Sequence, residues 1–291
     1  ASQWALERIG APQLWAAGFR GQGVRIGHLD TGVDASHPAI AGKIAAFATV
    51  DADGNATPSS PRDTGNHGTH TAGLLVGNQV GVAPEARLVS ALVLPEGGGT
   101  LAQVIGGIEW VIEQNVQVIS LSLGLPGTWP EFARIVEQVE ALGVVGVYAI
   151  GNFGPAPETT GSPGNLPGAL GIGATAPNDQ VAAFSSRGPV RWGYPYNTTL
   201  TKPDLVAPGV DLASAAPGGG YQAMSGTSMS TPLVAGGVAL LLSAKPKTPA
   251  KALEQALLEG AKPLGEPNSA GRGLMNLPGS LARLGGQAAP P

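Results

Sequence analysis

The run Val24-Arg25-Ile26-Gly27-His28-Leu29-Asp30-Thr31-Gly32 decides how this chain is read. Its apolar positions from Val24 to Leu29 describe a short buried strand, and Asp-Thr-Gly closes it in a turn. Arg87 to Val93, Val118 to Leu121 and Val144 to Ile150 are runs of the same kind. Between them Leu101, Val104, Ile105, Ile108 and Ile112 recur at helical spacing, and Glu131 to Leu142 repeats the pattern. Strands alternating with helices predict an α/β fold in three layers, a mostly parallel central sheet with helices on both faces. Ligands of such sheets sit beyond the carboxyl ends of the strands. Asp30, Ser122 and Asn152 each follow a strand run, so one sheet edge should gather all three.

A second stretch supplies chemistry. In Gly226-Thr227-Ser228-Met229-Ser230-Thr231-Pro232 a serine sits between small residues at the mouth of an apolar helix. A serine hydroxyl needs an adjacent base to become a nucleophile. Histidine suits that task near neutral pH, and a buried carboxylate fixes its tautomer. His67, in Asn66-His67-Gly68-Thr69-His70, and Asp30 are the candidates. Alone, Asp30 reads as a turn residue, His67 as a helix-entry histidine and Ser228 as an N-cap. Together, in the order Asp, His, Ser, they point to a serine hydrolase.

On these blocks the chain resembles the subtilisin-like serine proteases, from Trp4 to about Met275, and a fourth block, Ala149-Ile150-Gly151-Asn152, resembles their oxyanion-hole segment. The resemblance implies an endopeptidase that works through an acyl-enzyme. Ser228 would attack, His67 would carry the proton and Asp30 would orient His67. The Asn152 amide and the Ser228 N–H would hold the oxyanion. Gly97-Gly98-Gly99 and Ser122-Leu123-Gly124 match the segments that flank an extended substrate, while Ala149, Gly151 and Gly161 match the first specificity pocket. Phe153 stands where some relatives carry a charge, which implies preference for large apolar or aromatic residues before the scissile bond. A fold that has lost catalysis, and the sedolisin branch with its Ser, Glu and Asp, are the rivals. The intact Asp30, His67, Asn152 and Ser228 speak against the first, and the His67 block against the second.

No cofactor is needed for this chemistry, and structural calcium is the one metal to consider. The stretch from His67 to Gly81-Val82-Ala83-Pro84 is short for the family, and Ala39 replaces an expected acid, so the family's strong calcium site should be missing. Asp51-Ala52-Asp53-Gly54-Asn55 offers alternating oxygen ligands and resembles a calcium loop of thermitase-like relatives. Asp204 is a weaker candidate. Leu233 replaces a histidine common after Thr-Pro, at a position outside the reacting groups. His70 and His37 read as structural, and none of the four histidines forms a zinc-like pair.

Composition bounds the partners. With 291 residues, net charge −4 and only 12% charged residues, nothing suggests a nucleic acid or an anionic membrane. No apolar stretch is read as reaching the roughly 18 residues of a membrane span. The 45 glycines and 26 prolines lie among apolar runs, as in a turn-rich folded domain, and the absence of cysteine excludes disulfides. Ala1-Ser2-Gln3-Trp4 resembles a mature terminus, which implies a propeptide during maturation and an extracellular monomer. The expected organisation is a catalytic domain over 1–283 and a flexible tail over 284–291, with Pro189 to Thr201 as a loop insertion.

Overall fold

A computed structural model describes residues 3–290. Ala1 and Ser2 of the expected mature terminus, and Pro291 of the tail, lie outside the described residues. The central sheet has strands Arg25–Asp30 (β1), Ile44–Val50 (β2), Ala56–Pro58 (β3), Arg87–Leu92 (β4), Val118–Leu121 (β5), Val145–Ala149 (β6), Leu170–Thr175 (β7) and Leu205–Pro208 (β8). They lie in the order β8-β7-β6-β5-β1-β4-β2-β3. Every neighbouring pair is parallel except β2 with β3. The chain lays β2, β3 and β4 on one side of β1 and β5 to β8 on the other, so the carboxyl ends of β1 and β5 form the crevice where such sheets bind ligands.

Strand periodicity sorts side chains between two cores. Ile26 of β1 and Val118 of β5 join the core shared with Leu75, Val234 and Val238, from helices His67–Val76 and Thr227–Ala244. Leu29, Ile119 and Leu121 join the opposite core with Val104, Ile108 and Ile135, from helices Leu101–Glu113 and Ala133–Ala141. Alternation therefore sends His28 and Asp30 to the same face as Ile26, and Ser122 to the same face as Val118. That face carries the two helices that bring His67 and Ser228.

The Thr227–Ala244 helix corrects one expectation. Its 18 residues have mean hydropathy 1.4, enough in length and composition to cross a membrane. In the fold 83% of that stretch is buried against the sheet, as in the core helix of a folded domain. Leu233 is fully buried there. The 189–201 segment, expected as a loop, folds as a hairpin of Val190–Trp192 with Thr198–Leu200, pinned where Trp192 Nε1 donates to Asn165 O at 2.9 Å. The terminal segment makes contacts as well: Ala289 N donates to Gln13 O at 3.0 Å, and Leu284 and Ala288 pack on the core.

Candidate active site

Two glycines bring His67 to Asp30. Gly32 has φ 114°, a left-handed turn that a side chain would strain, and any Cβ there would stand 2.0 Å from Arg62 O. A Cβ on Gly68 would stand 1.9 Å from Gly32 O, so the first turn of the His67–Val76 helix can press against the β1 turn only as glycine. His67 Nδ1 then lies 2.7 Å from Asp30 Oδ1 and 2.9 Å from Oδ2. Asp30 is fully buried and also accepts from Thr31 N at 2.7 Å. Burial pushes its carboxyl up, but the charge and hydrogen bond of His67 outweigh that and hold it below the usual range. In return Asp30 holds the His67 imidazole above its ordinary 6.5, against the effect of burial. Asp63, which the sequence reading passed over, braces the corner. It accepts from Thr31 Oγ1 at 2.7 Å and from Thr69 N at 2.9 Å. An acid shortly before a helix start was its only signal.

Ser228 lies in the first turn of its helix, four residues before Pro232. Proline has no N–H, so the Ser228 carbonyl loses its ordinary helical partner. Ser122 Oγ donates to that carbonyl at 2.8 Å, and Ser228 Oγ donates back to Ser122 O at 3.1 Å. Among the described residues no hydrogen bond joins Ser228 to His67, although both line one cleft. Asn152 Oδ1 accepts from Thr227 N and Thr227 Oγ1, both at 2.9 Å. Its oxygen is thereby tied down and its Nδ2 left as the outward donor. Thr227 was not singled out from sequence, because only the folded pairing shows what it holds.

The cleft has a volume of about 520 Å³. Gly97, Gly98, Gly99, Ser122, Leu123, Gly124, Ala149, Gly151 and Phe153 all line it, with Asn152 and Thr227. Apart from His67, none of its described lining residues is ionisable. Phe153 is 48% exposed at the rim. Gly161 is buried, with its N–H bonded to Ile150 O at 2.8 Å, next to the segment that carries Ala149 and Gly151 of the cleft lining. A Cβ there would meet Leu125 O at 2.9 Å, so its smallness serves the wall's own packing.

The expected calcium ligands are engaged in hydrogen bonds of their own loop. Asp51 Oδ1 accepts from Asp53 N at 3.0 Å and Asn55 N at 2.9 Å, while Asn55 Nδ2 faces Asp51 Oδ2 at 3.4 Å. The loop satisfies its own carboxylate. Asp204 Oδ2 is taken by Lys202 Nζ at 2.6 Å and Gly171 N at 2.8 Å. Among the described residues no three acidic, histidine or cysteine side chains gather in one place. At the end of the His67–Val76 helix an ammonium fills the oxygen-rich corner: Lys43 Nζ donates to Val76 O at 2.6 Å and Asn78 Oδ1 at 2.7 Å. His70 Nε2 donates to Leu212 O and His37 Nε2 to Gly220 O, so both rings tie chain segments together.

Residues 21–273 match the model of the subtilase family of peptidases. The chain belongs to the subtilase family. This subtilase is 35% identical over 285 residues to subtilisin E of Bacillus subtilis, covering 94% of this chain and 70% of that protein. It is 34% identical to a subtilisin of Bacillus pumilus, over 94% of this chain and 96% of that one. An intracellular serine protease of Paenibacillus polymyxa is 38% identical over 245 residues, 81% of this chain and 71% of that protein. The subtilase is accordingly a subtilisin-like serine endopeptidase, a hydrolase whose chemistry needs no cofactor.

Proposed function

We propose that this subtilase cleaves polypeptides through an acyl-enzyme built on Ser228. The observation that carries the reading is His67 Nδ1 set on both oxygens of buried Asp30, with His67 and Ser228 lining one cleft. Substrate entry turns the Ser228 hydroxyl from the Ser122 carbonyl towards His67 Nε2, which takes its proton as Oγ attacks the peptide carbonyl. The Asp30 carboxylate stabilises the imidazolium so formed. Charge on the tetrahedral oxygen meets Asn152 Nδ2 and the Ser228 N–H at a helix N-terminus. His67 returns the proton to the leaving amine, and water then repeats the sequence on the ester.

Gly97 to Gly99 and Ser122 to Gly124 are proposed as strands that receive the substrate by main-chain pairing. A Cβ at Gly97 or Gly98 would meet nothing within 4 Å, so a peptide backbone has room to approach. With no acid in the cleft lining, large apolar or aromatic residues are preferred before the scissile bond. A peptide library that selected Lys or Arg at that position would overturn this preference.

The accompanying proposals are a monomeric catalytic domain over 1–283 and a propeptide during maturation. Extracellular action is proposed too. Fractionation of the source cells tests it, because some relatives are named as intracellular. We also propose that neither the strong calcium site nor a site at Asp51–Asn55 operates. Thermal unfolding should then shift by less than about 2 °C between calcium and chelator, below the effect of ~1 kcal/mol. A rise of many degrees in calcium would restore the metal reading. The primary test is labelling with a fluorophosphonate, read by intact mass beside Ser228→Ala. One adduct on the parent and none on the variant is expected; an unlabelled but folded parent would defeat the assignment.

A further inference from the structure

Behind the Asp30–His67 pair lies a second set of polar groups that the mechanism above does not use. His28 and Asp30 are two residues apart on β1 and so share a face, while Thr71 lies one helical turn beyond His67 on the facing helix. Ser90 is the register partner of His28 across β4. Where a core strand would ordinarily place apolar groups, these four side chains are each at most 1% exposed. They are joined end to end. Ser90 Oγ lies 2.8 Å from His28 Nδ1, His28 Nε2 lies 2.9 Å from Thr71 Oγ1, and Thr71 Oγ1 lies 3.1 Å from Asp30 Oδ2.

Proton counting fixes the direction of the chain. Thr71 has one hydroxyl proton and three acceptors in reach: Asp30 Oδ2, Gly68 O at 3.1 Å and His28 Nε2. Of these the buried carboxylate is the only anion, and a charge-assisted bond is about twice as strong as a neutral one. If Thr71 donated elsewhere, its lone pairs would face that anion with no proton between them. The hydroxyl therefore donates to Asp30, and His28 must donate from Nε2–H to Thr71. His28 Nδ1 is then the acceptor of the Ser90 hydroxyl. His28 stays neutral in this arrangement, in line with the lowering of its pKa by burial. Each bond polarises the next, so the Thr71 donation is stronger than that of an isolated hydroxyl.

We propose that His28 and Thr71, backed by Ser90, are positioning residues that orient the Asp30 carboxylate towards His67. The proposal rests on the reading of Asp30 and His67 as triad members. It makes Thr71 a holder of Oδ2, which His67 Nδ1 approaches at 2.9 Å beside its 2.7 Å contact with Oδ1. The ionisable groups around the chain are Asp30, His67 and Asp63, all from the β1–helix corner. Without the Thr71 hydroxyl, Asp30 would swing and present more unshared charge to His67.

The test is steady-state kinetics across pH on Thr71→Val and Thr71→Ser, with Asp30→Asn as control. Thr71→Val should lower kcat about tenfold, the loss of one hydrogen bond to a charged group. It should leave KM near the parent value and move the acid limb of kcat/KM to higher pH, with Thr71→Ser restoring both. A folded Thr71→Val with parental kcat and pH profile overturns the proposal. If instead Asp30→Asn retains full activity, it is the triad reading that fails. Nitrogen chemical shifts of His28 in the parent protein give a check that needs no variant to fold: protonated Nε2 with bare Nδ1 is expected. A cationic ring, or a proton on Nδ1, overturns the assignment.

Discussion

Asn152 shows how a single side chain can be prepared for one half of its task by using up the other half. Its Oδ1 is occupied twice by Thr227, so the amide cannot flip without losing two hydrogen bonds. Asn152→Ala should lower kcat roughly a hundred- to a thousandfold with little change in KM, the magnitude measured for the equivalent loss in a subtilisin. Thr227→Val should lower kcat by less, because Nδ2 survives but loses its aim. Steady-state kinetics on a peptide substrate distinguish them. His67 sets the pH dependence. A general base must be neutral, so activity falls as pH drops through its pKa, and Asp30 raises that pKa above 6.5. The acid limb of kcat/KM should therefore lie above 6.5, and Asp30→Asn should move it down while costing on the order of 10⁴ in kcat. Asp30, His67, Ser228 and Asn152, the groups proposed to react, were legible because groups of that kind leave short motifs. Thr227, Asp63 and Thr71 were not, since a hydroxyl or acid that only holds a neighbour has no motif of its own.

At the scale of elements, the Thr227–Ala244 helix and β5 are tied at the nucleophile by a missing donor. Pro232 removes the N–H that would reach Ser228 O, and Ser122 supplies a hydroxyl instead. Ser122→Ala should cost about 1–3 kcal/mol, because it leaves a carbonyl without a partner. Pro232→Ala restores a helical N–H, so Ser122→Ala should cost ~1 kcal/mol less in that background. Urea unfolding of the four proteins, each carrying His67→Ala to prevent self-digestion, measures the coupling. Strict additivity would show that Ser122 does not cap this helix. The strands read from Val24, Arg87, Val118 and Val144 are present within a residue or two, and Leu101–Glu113 is the helix its spacing predicts. Strand β7, Leu-Gly-Ile-Gly-Ala-Thr, escaped the reading because glycine and alanine mute the apolar signal. Glycine is needed there: a Cβ on Gly171 would meet Gly164 O at 2.4 Å.

The whole molecule also carries an electrostatic cost far from the cleft. Glu254, on the Ala250–Gly260 helix, is pushed from 4.5 to about 7 by burial, then by Glu140 and Asp204. In the unfolded chain this carboxyl ionises near 4.5, whereas the folded one keeps its proton until about 7. The folded state thus binds the extra proton between those values, and its stability falls as pH rises through them. Glu254→Gln should stabilise the protein at pH 8 by at most roughly 3 kcal/mol and have little effect near pH 4.5. Thermal or urea unfolding of an inhibited sample at both pH values checks the sign. Equal gains at the two values would place the effect in packing instead of charge.

By itself the sequence determined the alternation of strand and helix, the family, and the candidate reacting groups. These depend on residues close together in the chain, whose periodicity and motifs can be read locally. Only the tertiary structure decided which oxygens and donors are already taken. It bonded the Asp51 carboxylate to amides of its own loop and buried a membrane-length helix against the sheet. It also joined Ser90 and His28 to the catalytic carboxylate through Thr71. Such pairings link residues distant in sequence, and a polar group's role is set by the partner that reaches it once the chain has closed.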